Sequence, residues 1–285
     1  MVVPGKMILD QVFKQVEHLP TIPQVVITVL QMTESPNINT KKISDSLDQS
    51  LAAKVLKIAN SAYYGGGRAR NVKNIPHAIV IIGFEALKEI VLTASVFHTF
   101  HDAQDVKSLQ PLWEHSLEAA LIAKRLAWIY RYEGLDEAYF AGLIHDLGKL
   151  VIHQYFRDQY SLIEDMKKNG EEELEAEKKV MGITHAEVSG KISEFWSFPE
   201  TLVDTITHHH DEKFKLNPKL GKIIRCADQF ITGAWDFSTM LSAFAQVGML
   251  LPKEWEASDL EGVEKILRDE IEKAHEMLSF SKDVK

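Results

Sequence analysis

The sequence predicts an all-α protein built from two helical lobes. Apolar residues recur at three- and four-residue spacing through most of the 285 residues, which is the pattern of helices buried on one face. Prolines and capping residues stand where these patterns begin, and no alternating pattern typical of β-strands competes with them. A polar stretch from His101 to Gln110, followed by Pro111, marks the expected junction. We therefore expect an N-terminal lobe over 1–107, a second lobe over 108–235 and a C-terminal helical extension over 236–285.

Helical periodicity accounts for nearly all of the first lobe. The predicted helices are Met7–Glu17, one that Pro23 opens and that ends near Met32, one capped by Asn39 or Thr40, one capped by Ser50, one that begins at Pro76, and one that runs from after Gly83 to about Phe100. The segment NSAYYGGGRAR at 60–70 interrupts the series with a run of glycines. It is either a plain loop or a loop that approaches a ligand closely and presents Arg68 and Arg70 to it.

The second lobe is also predicted to be helical, with histidines at the ends and edges of its helices. The predicted helices are Leu112–Tyr132 with His115 in its first turn, Ala138–Val151 capped by Asp136, one that Thr184 and Glu187 open with a capping box, one that starts at Phe198–Pro199, and one from Lys219 to Ile231. The charge-rich segment from Asp165 to Lys179 is expected to be an exposed helix or a solvated connector. Residues 248–256 are expected to form a loop and 258–278 a terminal amphipathic helix.

Composition limits the chemistry that the chain can support. A hydrophobic content of 45% with 26% charged residues is ordinary for a soluble globular protein. Charges interrupt the apolar runs well before the roughly 18 residues that a membrane helix needs, and no signal pattern opens the chain, so we expect a cytoplasmic protein without membrane contact. Cys226 is the only cysteine. An internal disulfide and a thiolate-rich zinc site are therefore excluded, and any metal must be held by nitrogen and oxygen.

The net charge of −9 is unevenly distributed, since residues 1–107 carry +2 and residues 108–285 carry −11. An acidic lobe is a poor surface for a polyphosphate backbone, so we do not expect nucleic acid to be a partner of the second lobe. The first lobe offers only Arg68, Arg70 and a few lysines for such a role.

The stretch AYFAGLIHDLGKLV at 138–151 places His145 and Asp146 side by side in an apolar helical run. Neighbours on a helix point about 100° apart, so the two side chains can share a cation only at the edge of the buried stripe. For this pair alone, a buried hydrogen bond without a metal is the simpler interpretation. Gly148 and Lys149 favour a ligand site, because glycine allows close backbone approach and lysine supplies a charge for a phosphate oxygen.

Half of the 12 histidines, together with two aspartates, form a series along the second lobe. The series is His115, His145–Asp146, His185, His208–His209–His210 and Asp228. Each group falls on a separate predicted helix, and side chains from several helices of one bundle can converge on a metal. We therefore predict a centre of one or two divalent transition-metal ions. Histidine and carboxylate ligands suit iron, manganese, zinc and nickel alike.

The order H…HD…H…HH…D, together with HDLGK, is similar to the HD superfamily of metal-dependent phosphohydrolases, in the version found in bacterial HD-GYP and HDOD proteins. LPTIP at 19–23, DQSLAAKVLKIANSAYYG at 48–65 and IPHAIVIIGFEALKEIVL at 75–92 resemble the HDOD module in particular, a helical signalling domain of bacteria. The resemblance covers roughly Leu19 to Asp228.

Matched residue by residue, the resemblance implies a pair of metal positions. The ligands of the first would be His115, His145, Asp146 and Asp228, and those of the second His185, His209 and His210, with Asp146 bridging the two. Lys149 would face a phosphate of the ligand, so Lys149 and Asp146 are the candidate catalytic residues. This alignment leaves His208 outside the site, and the alternative, shifted by one position, would use it in place of His209 or His210.

Two functions follow from these expectations. In the first, the chain is a bacterial cytoplasmic signal-transduction module, whose metal lobe binds a phosphate-containing ligand and whose first lobe passes the change to a partner protein. In the second, it is a metal-dependent phosphohydrolase acting on a nucleotide or cyclic dinucleotide, with Lys149 and either Arg68 or Arg70 stabilising charge in the transition state. Residues 213–215, KFK, stand where GYP would follow the histidines, so the loop that orients a cyclic dinucleotide is not recognisable after Asp211. We therefore expect slow activity at most, with little or no cleavage of cyclic di-GMP.

Overall fold

The computed structural model of the chain describes residues 5–32, 40–60, 72–100, 108–211, 213–233, 237–249 and 257–279. Every element of regular structure within these ranges is helical, which confirms the predicted all-α class. In chain order the helices are α1 (Gly5–Glu17), α2 (Gln24–Met32), α3 (Thr40–Ser46), α4 (Gln49–Ala59), α5 (Ile75–Ile82), α6 (Phe84–Thr99), α7 (Gln110–Ile129), α8 (Leu135–Ile144), α9 (Leu147–Tyr155), α10 (Arg157–Lys168), α11 (Glu173–Met181), α12 (His185–Phe195), α13 (Glu200–Thr207), α14 (Pro218–Ile231), α15 (Phe237–Gln246) and α16 (Ala257–Ser279).

Some predicted features lie outside the described residues. These are the greater part of the junction, at 101–107, the glycine-rich segment with Arg68 and Arg70, the alternative cap Asn39, and most of the predicted loop over 248–256. The proposed lobe boundaries at 107 and 235 accordingly stay predictions.

In the first half of the chain, α2, α4 and α5 all pack against α6. Their apolar faces form its core, in which Val26, Leu51, Val55 and Ile90 are fully buried. This is the outcome expected from the three- and four-residue spacing of the apolar side chains, because that spacing aligns them on one face of each helix.

Asp48, not the predicted Ser50, caps α4. The backbone of Asp48 is extended, and its Oδ1 accepts the backbone N–H of Leu51 at 2.8 Å. Ser50 lies inside the first turn. Aspartate and serine are comparable caps, so the apolar pattern alone did not distinguish the two positions.

In the second half, α7 is the central helix, and α8, α14 and α16 all pack against it. The backbones of α7 and α8 approach so closely at Gly142 that a Cβ there would lie 2.7 Å from the carbonyl oxygen of Ala119. A second close crossing joins α9 to α12, where a Cβ on Gly148 would overlap the carbonyl oxygen of His185. These glycine crossings hold together the helices that carry the predicted metal ligands.

The helices of the first half contact those of the second at several places, of which two are the most extensive. Helix α1 packs against α11 and α12, and α6 packs against α8. At the second region Lys88 forms a buried ion pair with Asp136, and the Thr93 hydroxyl lies 2.7 Å from the Tyr139 hydroxyl. Asp136 is therefore not a helix cap, as was predicted from its position. It lies in the first turn of α8, whose N-cap is Gly134.

The predicted helix over 138–151 is in fact two helices that meet at His145 and Asp146. Helix α8 ends at Ile144, and Asp146, at φ −102° and ψ 15°, separates it from α9. The break brings His145 Nε2 within 3.5 Å of Asp146 Oδ2. In an unbroken helix the wide angle between neighbouring side chains would oppose such a contact.

Two further predictions were wrong in detail, and one was confirmed. His115 lies in the second turn of its helix, because α7 begins at Gln110. The segment 165–179 is helical, as one of the two predicted alternatives had it, since it contributes to α10 and α11, but it is not wholly exposed because Glu177 is buried. The capping box of Thr184 and Glu187 is present at the start of α12.

Within the described ranges, no helix is both long enough and apolar enough to cross a membrane.

We predict that Gly142→Ala destabilises the protein by about 1–3 kcal/mol, because the added methyl group would push α7 and α8 apart. Gly262→Ala in α16 is the matched control, since a Cβ there meets open space. That substitution should stabilise the helix by about 0.5–1 kcal/mol. Chemical denaturation of the two variants measures both changes, and a Gly142→Ala variant as stable as the parent protein would contradict the close crossing.

Candidate metal centre

The side chains predicted to bind metal lie together in the second half of the structure. They reach a common point from six places: His115 from α7, His145 at the end of α8, Asp146 at the start of α9, His185 from the first turn of α12, His209 and His210 just beyond α13, and Asp228 from α14. His145, His185 and His209 are fully buried.

The side chains divide into two groups, each with ligand atoms within 4.8 Å of one another. Group A contains His115, His145 and Asp228, and group B contains Asp146, His185, His209 and His210. This division matches the two predicted metal positions, with Asp146 as the residue expected to serve both. The assignment of these residues as metal ligands stays a prediction.

Asp146 lies between the two groups and turns one carboxylate oxygen towards each. Its Oδ2 is 3.4 Å from His115 Nε2 and 3.5 Å from His145 Nε2. Its Oδ1 is 3.1 Å from His185 Nε2 and 3.6 Å from His209 Nε2. A carboxylate with its two oxygens directed at separate sets of imidazoles has the arrangement of a bridging ligand.

Backbone carbonyls fix the tautomers of two of the buried histidines. His145 Nδ1 lies 2.7 Å from the Gly142 carbonyl oxygen, and His209 Nδ1 lies 2.6 Å from that of Ile206. A carbonyl can only accept, so each Nδ1 carries the proton and donates it. Each Nε2 therefore points its lone pair into the cluster, which is the orientation that a metal-binding histidine requires.

The interior of the cluster shows a deficit of hydrogen bonds that a cation would satisfy. Apart from the ion pair of Asp146 Oδ2 with Lys149, both carboxylate oxygens of Asp146 and the Nε2 of His209 are buried without a hydrogen-bond partner of suitable geometry. The Nε2 atoms of His185 and His210 are 2.9 Å apart, so a shared proton or a cation must lie between them. Nitrogen and oxygen donors of this kind suit a divalent transition metal. The residues present therefore fit the metal that the sequence predicts.

Burial and the neighbouring carboxylates together determine the protonation of the histidines. It lowers the pKa of His145 to about 4 and that of His210 to about 2, so both are neutral at pH 7. Burial also acts to lower the pKa of His185, but the carboxylates of Glu177 and Asp146 outweigh it and raise that pKa to about 9. Neutral imidazole is the form that binds a cation, and a cation at His185 would have to replace a proton.

A cavity of about 240 Å³ adjoins the cluster. Its lining in the described residues comes from α7, α9, α10, α11 and Thr232 beyond α14, with His115 and Glu177 on the side of the cluster. Lys149 lies between the cluster and the cavity. Its Nζ is 2.9 Å from Asp146 Oδ2 and 3.1 Å from Glu173 Oε2. Burial acts to lower the pKa of Lys149, but these carboxylates raise it above its usual range, so the ammonium group stays charged.

His208 points away from the cluster. Its Nδ1 lies 3.1 Å from Asp211 Oδ1 near the surface. It belongs to neither group, whereas its two successors belong to group B. The structure thus places His209 and His210, and not His208, at the position expected for the paired histidines.

Glu177 is a site residue that the sequence did not predict. One of its oxygens accepts the backbone N–H of His185 at 2.8 Å, and both lie within 2.9 Å of His185 Nδ1. A carboxylate on the outer nitrogen orients a metal-binding histidine and makes it a stronger ligand. The one signal in the sequence is that Glu177 shares the buried face of α11 with Ala176 and Val180.

Two other supporting contacts carry no signal in the sequence. Ser189 accepts the backbone N–H of Gly148 at 2.8 Å and donates to the carbonyl of His185 at 2.9 Å, which ties α9 to α12 beside the cluster. Arg225 on α14 donates to the backbone carbonyl of His210 and holds the turn that follows α13.

Comparisons with known proteins agree with this architecture. The model of the HDOD domain family matches residues 19–212, a range that ends before Asp228. An HDOD domain protein of unknown function from Geobacter sulfurreducens has a similar structure, with a TM-score of 0.80 and 23% identity over 96% of this chain and 97% of that one. A Shewanella amazonensis SB2B structure, provisionally described as a phosphohydrolase, has a TM-score of 0.74 and 23% identity over 94% of this chain and 97% of that one. At these identities the likeness shows the fold alone.

An uncharacterised protein from Treponema pallidum (strain Nichols) is 22% identical over 209 residues. The alignment covers 69% of this chain but only 38% of that relative, so the chain spans little more than a third of its length.

We predict that Glu177→Ala weakens metal binding about 10- to 100-fold, because His185 loses the partner that orients it. Competition with a chelator measures the affinity. Glu175→Ala is the matched control, since Glu175 is on the same helix but exposed. Glu177→Gln, which keeps an oxygen for the backbone N–H, should fall between the two. Equal affinities for Glu177→Ala and Glu175→Ala would show that Glu177 has no such role.

We also expect Asp146→Ala to lose metal more completely than His208→Ala. Asp146 contacts both groups, whereas His208 contacts neither. Elemental analysis of protein purified without a nickel column provides the measurement. If His208→Ala empties the centre and His209→Ala does not, the register of the paired histidines is wrong by one residue.

Proposed function

The chain belongs to the HDOD domain family, and we propose that it is a signal-transduction module whose metal centre binds a phosphate-containing ligand. The position of Asp146 carries this proposal, because its two oxygens face two groups of metal-ligand side chains. A hydrogen-bonded histidine–aspartate pair would need only one imidazole. Here the carboxylate lies near four imidazoles and, apart from its ion pair with Lys149, neither oxygen has a hydrogen bond of suitable geometry.

The cavity supports a ligand at this centre. It opens beside His115, so a molecule in it can reach both the cluster and Lys149. Divalent cations bound at the cluster would attract a phosphoryl oxygen and invert the negative field of the surrounding carboxylates. Lys149 would hold a further phosphate oxygen as a point charge.

The contacts between the two halves of the chain support a signalling role. Helix α8 carries Asp136, which is paired with Lys88 of α6, and ends next to His145. Helix α1 packs against α11 and α12, the helices that carry Glu177 and His185. A change at the centre on ligand binding would therefore act on helices that the first half contacts directly, and from there on a partner protein.

Metal-dependent phosphohydrolysis is the second candidate function. A cation with an open position next to a cavity can also activate water. This alternative also requires that the protein orient its substrate, and the segment after the paired histidines does not have the GYP sequence that would orient a cyclic dinucleotide. The segment after the paired histidines is anchored to α13, because Asp204 accepts the backbone N–H groups of Lys215 and Leu216, and Phe214 packs against Gly221 of α14. Correct orientation contributes about 7–11 kcal/mol to lowering a reaction barrier.

We therefore expect slow, metal-dependent cleavage of bis(p-nitrophenyl) phosphate at most, and little or no cleavage of cyclic di-GMP. Rates are measured on iron-loaded and manganese-loaded protein, with Asp146→Ala as the metal-deficient control and His208→Ala as a variant of similar chemistry outside the cluster. Efficient cyclic di-GMP hydrolysis that Asp146→Ala abolishes and His208→Ala preserves would replace the signalling module with a phosphodiesterase. A protein that binds neither metal nor any phosphate compound would overturn both functions.

A further inference from the structure

The cavity beside the cluster contains two lysines that share one carboxylate. Glu173 Oε2 lies 3.1 Å from Lys149 Nζ, and Glu173 Oε1 lies 2.6 Å from Lys167 Nζ. Lys149 also contacts Asp146 at 2.9 Å, and Lys167 contacts Glu164 at 2.8 Å. The two ammonium groups therefore face a common point, and the Glu173 carboxylate occupies it.

A phosphate group is a close substitute for that carboxylate. It too presents pairs of anionic oxygens that accept charge-assisted hydrogen bonds from two ammonium groups. The lysines are already neutralised, however. Together they face three carboxylates, those of Asp146, Glu164 and Glu173, so the empty cavity has no excess of positive charge for a ligand. A phosphate that enters between the lysines must displace Glu173.

Glu173 can leave this position without disrupting its helix. It is the first residue of α11 and is partly exposed, at 29% of its side chain. The rest of α11 is held by the buried side chains of Ala176, Glu177, Val180 and Met181. Burial acts to raise the pKa of Glu173, but Lys149 and Lys167 stabilise the anion and lower that pKa to about 2. At neutral pH it is thus a permanent negative charge between the lysines.

We propose that Lys149 and Lys167 form a subsite for a terminal phosphate group, and that Glu173 occupies this subsite as an internal competitor until the ligand replaces it. The proposal rests on the proposed function for the presence of a phosphate ligand and extends it with a second lysine and a competing carboxylate. A phosphomonoester or inorganic phosphate carries close to two negative charges at pH 7.5, whereas a phosphodiester carries one, the same as Glu173. The subsite therefore favours compounds with a terminal phosphate over diesters.

The test is calorimetric titration of the metal-loaded full chain with inorganic phosphate at pH 7.5. Glu173→Gln should bind phosphate roughly tenfold more tightly than the parent protein, because the competing charge is gone while the side-chain shape is kept. Glu171→Gln is the matched control, since Glu171 pairs with Lys179 away from the cavity, and its phosphate affinity should be unchanged. Lys167→Met added to Glu173→Gln should abolish the gain.

Metal content, measured on the same samples, separates this inference from the proposed function. Unchanged metal content with unchanged or weaker phosphate binding in Glu173→Gln would overturn the internal competitor and leave the metal centre intact. Loss of metal in Glu173→Gln would also overturn it, because Glu173 would then support the cluster. If the parent protein and Asp146→Ala both lack metal, the proposed function itself fails. Dimethyl phosphate, a diester, should gain less from Glu173→Gln than inorganic phosphate does, and an equal gain would overturn the preference for terminal phosphates.

Discussion

The carboxylate of Asp146 is the point on which the architecture of the second half depends. Six imidazoles and carboxylates from helices α7, α8, α12 and α14 and from the turn after α13 surround it, and three of the histidines are fully buried. Polar atoms at that depth are costly without partners. The close glycine crossings at Gly142 and Gly148, and the supporting contacts of Ser189 and Arg225, have one common effect. They hold the imidazole nitrogens and carboxylate oxygens of the cluster close together, although these atoms would otherwise repel one another.

Charge is arranged in layers around this centre. Imidazole nitrogens surround the Asp146 carboxylate, those of His145 and His209 with their lone pairs directed inward, and Glu177 lies behind His185. Lys149 forms the next layer, between the centre and the cavity, and Glu173 separates it from Lys167. The affinity of the cavity for an anion therefore depends on the sum of the positive and negative charges in these layers rather than on the lysines alone. Cations bound at the centre would change that balance more than any single side chain does.

Much of the fold and most of the centre could be predicted from the sequence, for different physical reasons. The apolar spacing identifies most of the helices, because it records which face each one buries, although it predicted neither α10 nor α15. The resemblance orders the predicted ligand residues from His115 to Asp228. The failures concern contacts between segments distant in the sequence. Asp136 has the chemistry of a cap but pairs with Lys88, and the break at Asp146 interrupts an apolar pattern that remains continuous. In the sequence Glu177 cannot be distinguished from its charged neighbours, because its role depends on the packing of α11 beside His185. Local patterns do not contain this information.

The sequence separation of the predicted ligand residues has a consequence for the order of assembly. His115 is contributed by α7 and Asp228 by α14, so group A is not complete until α14 has packed against α7, and group B is not complete until the turn after α13 has closed beside α12. Closing so long a segment of chain is entropically costly, and the metal cannot offset that cost until the segment is closed. Tight metal uptake during refolding or synthesis would thus mark the moment at which the second half becomes native, and would protect it from reopening afterwards.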